Sequence, residues 1–73
     1  MTDSEIAIAI GAKIRSRRVA LELSQKALAS RLPFAERPQI TRLEAGKHLP
    51  TLRTLIDCAK ALECRLVDLI PDV

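Results

Sequence analysis

The sequence predicts an all-α fold, a compact five-helix bundle that forms one domain over residues 1–73. A chain of 73 residues has room for a single hydrophobic core. Hydrophobic residues make up 48% of it, and it contains only two glycines and four prolines. This composition, rich in leucine, isoleucine and alanine, favours helix over disorder. Because no segment has the alternating pattern of a strand, we expect the whole core to be helical.

The first two helices follow from polar caps and apolar spacing. Thr2, Asp3 and Ser4 can cap a first helix that extends to about Leu21, since isoleucines recur every four residues at positions 6, 10 and 14. Ser24 is a suitable N-cap for a short second helix, which is expected to end near position 32.

Three further helices are predicted in the second half of the chain. Pro38 suits the first position of a third helix, which should stop near Gly46, because glycine readily adopts the left-handed conformation. A fourth helix is expected to begin at Pro50 and Thr51 and to carry an apolar stripe. A last short helix is expected over about residues 65–70, where Pro71 ends it.

Basic residues are concentrated in the centre of the chain. The net charge is +3, but residues 13–53 hold ten basic side chains against three acidic ones, whereas the two ends hold two basic and six acidic side chains. A basic centre suits a polyanion bound on one surface, although such clusters are often only solvated. The ten basic residues are Lys13, Arg15, Arg17, Arg18, Lys26, Arg31, Arg37, Arg42, Lys47 and Arg53.

The sequence offers no membrane span, metal site or catalytic arrangement. No apolar run reaches the length of a span and no leader begins the chain, so we expect a soluble protein of the cytoplasm, associated with the bacterial nucleoid. Cys58 and Cys64, with His48 as the lone histidine, cannot form a four-ligand zinc site within one chain. We interpret both cysteines as buried or half-buried apolar side chains, with a disulfide or metal shared across a dimer as the alternative.

An enzyme is not expected. The chain has neither paired carboxylates nor a nucleophile with its base, and we predict no cofactor and no small-molecule ligand. Single-stranded nucleic acid is also disfavoured, because such sites use stacking aromatic side chains and Phe34 is the only aromatic residue.

An ordered series of residues spans most of the chain and resembles a known family. Its members are Ile14, Arg15, Arg18, Leu23, Ser24, Gln25, Leu28, Ala29, Ile40, Thr41, Arg42, Leu43, Glu44, Ala45, Gly46, Lys47, Pro50, Thr51, Leu52, Leu55, Ala59, Ala61 and Leu62. Over about residues 10–70 this series resembles the lambda-repressor-like, or Cro/XRE, helix-turn-helix family. The motif would cover about residues 25–45, with its second helix in the DNA major groove.

The resemblance implies that the third helix reads bases. Ile40 and Leu43 mark its buried face, so the opposite face is left for DNA. Arginine matches guanine O6 and N7 with two donors, and a solvated arginine is the alternative at position 42. Pro38 is expected against a thymine methyl group, Thr41 on a base edge or phosphate, and Gln39 as a flanking contact. The predicted base-reading residues are Arg37, Pro38, Gln39, Thr41 and Arg42.

The resemblance also implies phosphate contacts and a structural ion pair. Gln25 resembles the family's glutamine at the start of the first motif helix, which holds a phosphate and can brace Arg37. Arg18 and Glu44 resemble the family's buried pair, and Glu44 falls on the core edge of the third helix, where a carboxylate needs a partner. The predicted phosphate-binding residues are Gln25, Lys26, Lys47, His48 and Arg53, with solvated side chains as an equal alternative for Lys47 and Arg53.

Two departures from the family lie around the motif turn. Glycines that are usual near the end of the first helix and in the turn are replaced by Glu22 and by residues 33–36. Leu28 and Ile40 are also one residue further apart than is usual, which lengthens the turn and lets the chain reverse without a left-handed glycine. Phe34 is expected to pack into the core beneath this turn, and base stacking is the alternative.

Together these features predict a sequence-specific double-stranded DNA-binding transcription regulator that acts as a homodimer on a palindromic or pseudopalindromic operator. It would resemble restriction–modification controller proteins or small phage and plasmid repressors. The alternative is an antitoxin or other protein-binding module that binds DNA secondarily, but we expect a stand-alone regulator because the chain ends soon after the fifth helix. The dimer interface is predicted among the apolar residues of the last two helices (about residues 51–70), shared with the core: Leu62, Leu66, Val67, Leu69 and Ile70.

Overall fold

The computed structural model describes residues 1–33 and 35–72, and every regular element in these ranges is helical. The elements are α1 (Asp3–Ala20), α2 (Gln25–Ser30), α3 (Arg37–Ala45), α4 (Leu52–Ala61) and a 3-10 helix (Leu66–Leu69). The prediction of an all-helical bundle is therefore confirmed, but the fifth element is one 3-10 turn and not an α-helix. Asp68 accepts the Arg65 backbone N–H at 2.9 Å, and Pro71 follows too closely for the helix to continue.

Hydroxyl side chains cap three of the helices at their N-termini. Thr2 and Glu5 form a reciprocal capping box at α1, and the Thr2 N–H lowers the pKa of the Glu5 carboxyl because it donates to the charged form. The Ser24 hydroxyl accepts the Ala27 N–H at 3.0 Å, and the Thr51 hydroxyl accepts the Thr54 N–H at 3.1 Å. Serine at position 24 thus has the capping role predicted for it.

Left-handed residues end three of the helices. Glu22, Gly46 and Glu63 have φ of 58°, 69° and 55°, and each follows a helix whose last carbonyls accept reverse-turn hydrogen bonds. The sequence predicts this conformation at Gly46 only. Glu22 adopts it although glutamate has a Cβ, which disfavours φ in this region.

One core joins all five elements. Its fully buried side chains come from every helix: Ile14, Leu28, Ile40, Cys58, Leu62 and Leu69. α1 and α3 approach so closely at Gly11 that a Cβ there would lie 2.5 Å from the Leu43 carbonyl oxygen. Only glycine fits at this crossing, which holds α3 against α1 and leaves its other face outward.

The expected packing of Phe34 lies outside the described residues. Within the described part of the chain, none of the helices combines the length and the apolar character needed to cross a bilayer.

Candidate nucleic-acid interface

α3 presents one face to the core and the opposite face to solvent. Ile40 and Leu43 are buried, whereas the five residues predicted to read bases are all exposed: Arg37, Pro38, Gln39, Thr41 and Arg42. Arg37 is the first residue of α3 and Pro38 the second, one position later than predicted. The exposed face therefore begins at the helix N-terminus, the end at which recognition helices approach base edges.

Two of these exposed residues have roles within the protein. The Gln39 side-chain oxygen accepts the Glu36 backbone N–H and so caps the start of α3. The Thr41 hydroxyl lies 2.9 Å from Gln25 Oε1 and 3.1 Å from the Arg37 carbonyl oxygen. By contrast, the guanidinium groups of Arg37 and Arg42 form no hydrogen bond or ion pair with any residue that the structure describes.

Gln25, at the start of α2, is held by α3. Its Nε2 donates to Glu44 Oε1 at 3.2 Å, and its Oε1 accepts from the Thr41 hydroxyl. Within residues 1–33 and 35–72, no hydrogen bond joins the Gln25 side chain to Arg37. In place of the expected contact with Arg37, the Gln25 side chain is bonded to Thr41, which lies one helical turn after Arg37.

Glu44 is also the partner of Arg18. Arg18 Nε lies 2.6 Å from Glu44 Oε2 and Nη2 lies 3.0 Å from Oε1, while Nη1 donates to the Leu23 carbonyl at 2.7 Å. The two side chains are only 12% and 5% exposed. The hydrogen bonds to Glu44 raise the pKa of Arg18, as a nearly dry carboxylate favours its charged partner.

The remaining predicted phosphate contacts are exposed side chains around the motif. Arg53 forms a 3.4 Å ion pair with Asp57 one turn along α4, and His48 Nδ1 lies 3.4 Å from the Leu49 carbonyl oxygen. Lys26 is on α2, and Lys47 directly follows the left-handed Gly46. Neither lysine forms a salt bridge with the described part of the chain.

Two other central arginines have partners within the protein. Arg17 donates to the carbonyls of Leu62 and Glu63 at 2.9 and 3.1 Å, and Arg31 donates to the Ala61 carbonyl at 3.0 Å and pairs with Glu63. Both guanidiniums satisfy free carbonyls at the C-terminus of α4, where the helix dipole favours a cation. The sequence shows these two arginines only as basic charge, since partners 30 to 46 residues away leave no local pattern.

The C-terminal apolar residues divide between core and surface. Leu62 and Leu69 are fully buried within the chain and so belong to the core, with which the predicted interface was expected to share these apolar residues. Leu66 is half-buried against the core. Val67 and Ile70 remain 59% and 37% exposed.

Both cysteines are free thiols. Cys58 is buried and Cys64 half-buried, as interpreted from the sequence. Burial, together with the charge of Asp57 and the neighbouring Cys64, raises the pKa of the Cys58 thiol to about 11. No group of three metal-ligating side chains occurs among the residues that the structure describes.

Two short helices at a turn, the second exposed along one face, define a helix-turn-helix protein. The chain belongs to the helix-turn-helix domain family, whose pattern matches residues 9–70. No curated protein matches the sequence.

Solved structures agree with this family. The restriction-modification controller protein C.AhdI from Aeromonas hydrophila is 26% identical with a TM-score of 0.85, over 96% of this chain and 100% of that one. The P22 c2 repressor protein, solved with a synthetic operator, is 30% identical with a TM-score of 0.75, over 84% and 91% of the two chains. The DNA-binding domain of BldD, 24% identical with a TM-score of 0.84 over 97% and 100%, shares the fold. The chain thus has the fold of DNA-binding regulators, and its family and structural relatives are not enzymes.

Proposed function

We propose that the protein is a transcription regulator that binds a specific double-stranded DNA sequence as a homodimer. The observation that carries this proposal is the exposed face of α3, on which Arg37 and Arg42 have no partner among the described residues. Arg17, Arg18 and Arg31 are all engaged within the protein. Free guanidiniums on a helix whose other face is anchored in the core suit bidentate contacts with guanine.

Phosphate contacts would orient this helix in the major groove. Lys26, Lys47, His48 and Arg53 are exposed, and Gln25 offers an amide beside α3. Contacts of this kind set register and add salt-dependent affinity without reading sequence. The assignment of these side chains to phosphates rests on their exposure and on the place of the equivalent elements in the helix-turn-helix motif.

A homodimer follows from the size of one reading surface. A single recognition helix covers few base pairs, so a two-fold dimer would read two half-sites about 34 Å apart, or a multiple of this distance, on a palindromic or pseudopalindromic operator. Val67 and Ile70 support an interface at the 3-10 helix, because both are apolar and exposed. Half-buried Leu66 lies between core and surface in the same element.

Selection of bound duplexes from a random pool tests the DNA-binding proposal. The wild-type chain should enrich a palindrome, and a variant with Arg37→Ala and Arg42→Ala should still bind DNA at low salt but enrich no common sequence. Failure of the wild-type chain to enrich any sequence would contradict the proposal and favour a module whose partner is a protein.

Sedimentation equilibrium at micromolar concentration tests the dimer. Val67→Lys should shift the protein towards monomer, since a buried ammonium opposes association. Val19→Lys is the matched control, because Val19 is also an exposed valine, at 55% exposure, and is not among the predicted interface residues. A monomeric wild-type chain that still binds the palindrome tightly would refute the dimer.

A further inference from the structure

Four side chains form one hydrogen-bonded series from the interior to the exposed face of α3. Arg18 binds Glu44, the Gln25 Nε2 donates to Glu44 Oε1 at 3.2 Å, and the Thr41 hydroxyl donates to Gln25 Oε1 at 2.9 Å. The series joins α1, α2 and α3. Its inner members are nearly dry and its outer members border the proposed DNA surface.

Glu44 fixes which way the Gln25 amide faces. A carboxylate only accepts hydrogen bonds, and Arg18 donates to both oxygens of this one. The amide must therefore turn its NH₂ group towards Glu44, because the opposite orientation would place two acceptor oxygens against each other. The Gln25 oxygen is then left facing Thr41, whose hydroxyl can supply a hydrogen.

Thr41 and Gln25 differ in the number of hydrogens that they have free to donate. The single hydroxyl hydrogen of Thr41 has two possible acceptors within the protein, Gln25 Oε1 and the Arg37 carbonyl oxygen. Thr41 therefore has no hydrogen to offer a base or a phosphate. Gln25 uses one of its two Nε2 hydrogens on Glu44, and the other has no acceptor among the described residues.

We infer that Thr41 is a positioning residue, which holds the Gln25 amide so that its second Nε2 hydrogen is available to a phosphate oxygen of the DNA. The inference rests on the proposed DNA-binding function and assigns Thr41 a role in affinity for all sequences. It removes Thr41 from the set of residues expected to read a base. Because a fixed donor loses less side-chain freedom on binding, the hydrogen bond from Thr41 strengthens the contact between Gln25 and the phosphate.

The test compares Thr41→Val, which removes only the hydroxyl, with Thr41→Ser, which retains it. Thr41 is exposed, so both variants should fold, and thermal unfolding checks this. Thr41→Val should weaken binding to the selected operator and to an unrelated duplex by the same factor, about 2- to 10-fold for one hydrogen bond. Thr41→Ser should restore wild-type affinity.

A double-mutant cycle identifies the residue through which Thr41 acts. In a Gln25→Ala background, Thr41→Val should cause no further loss of affinity, because the amide that it positions is absent. An equal loss in both backgrounds, or a relaxed preference at one base pair in Thr41→Val, would overturn the inference and make Thr41 a direct contact.

The brace can also be measured without DNA. The side-chain amide resonances of Gln25 should show a high order parameter in the wild-type protein and in Thr41→Ser, and a lower one in Thr41→Val. Unchanged amide order in Thr41→Val would refute the brace even if DNA binding is established. Ordered amide resonances in a chain that binds no duplex would instead refute the proposed function and leave the brace as a structural feature.

Discussion

The Arg18 guanidinium and the Glu44 carboxylate are joined by two hydrogen bonds, of 2.6 and 3.0 Å, although they lie 26 residues apart. The pair connects the last turn of α1 to the last turn of α3. Since Arg18 also holds the Leu23 carbonyl before α2, one side chain links α1 to the two helices, α2 and α3, that carry most of the proposed DNA contacts.

Removing one partner of this pair should destabilise the fold more than removing both. Arg18→Met or Glu44→Leu alone leaves a nearly buried charge unpaired, at a cost of about 3–5 kcal/mol, whereas the double variant leaves none. Urea denaturation of the four proteins gives the coupling free energy. Additive losses would mean that water screens the two charges and that the pair contributes no coupling free energy. Arg53→Ala is the control, because it breaks an exposed pair with Asp57 and should change stability by less than about 1 kcal/mol.

Glu22→Gly should stabilise the protein by about 0.5–1 kcal/mol. Glu22 has φ of 58°, where a Cβ is disfavoured and glycine is not. Its side chain is exposed and forms no hydrogen bond with the described residues, so little else is lost. Thermal unfolding measures the gain. Glu22→Ala is the matched control, since it removes the same charge and retains the Cβ; a similar gain in both variants would assign the effect to charge and not to backbone conformation.

Local signals in the sequence were sufficient for most of the fold. Ser24 and Thr51 cap helices through their own hydroxyls, and Gly46 ends α3 because its conformation is a property of that residue. The 3-10 character of the last helix was not predictable, since an apolar spacing of three or four residues fits either helix type. Nor was the left-handed state of Glu22, which the helix end imposes on a residue that disfavours it.

The sequence predicts which face of α3 is exposed but not which residues form hydrogen bonds with one another at the site. Ile40 and Leu43 determine which side of α3 is exposed, so Arg42 follows from periodicity. Arg37 follows instead from its place at the N-terminus of the helix. The partners of Gln25 depend on the approach of α2 to α3, which no local pattern encodes. For the same reason an apolar stripe could not distinguish buried Leu69 from exposed Val67, because only the packed neighbours decide which part of the stripe is covered.

Stability should fall between pH 9 and pH 11 because of Cys58. Its pKa rises from 9.0 to about 11 on folding, so over this window the unfolded chain loses the thiol proton while the folded chain keeps it. The free energy of unfolding should decrease by about 1.4 kcal/mol per pH unit from this group, and below pH 9 its contribution is constant. Denaturation curves at several pH values measure the slope. In Cys58→Ala the slope should be flatter by this amount; equal slopes would contradict the assignment.

Arg42→Ala should relax the preference for one base pair in each half-site. A bidentate contact with guanine contributes about 1–3 kcal/mol of discrimination, and alanine at position 42 cannot replace it. Competition titrations with the selected operator and with operators substituted at single positions measure the effect. Lys47→Ala is the matched control, because loss of a phosphate contact should weaken binding to all these duplexes alike and reduce its dependence on salt. If Arg42→Ala leaves the base preference unchanged while Lys47→Ala behaves as expected, α3 binds DNA in a different orientation, with Arg42 directed away from the base edges.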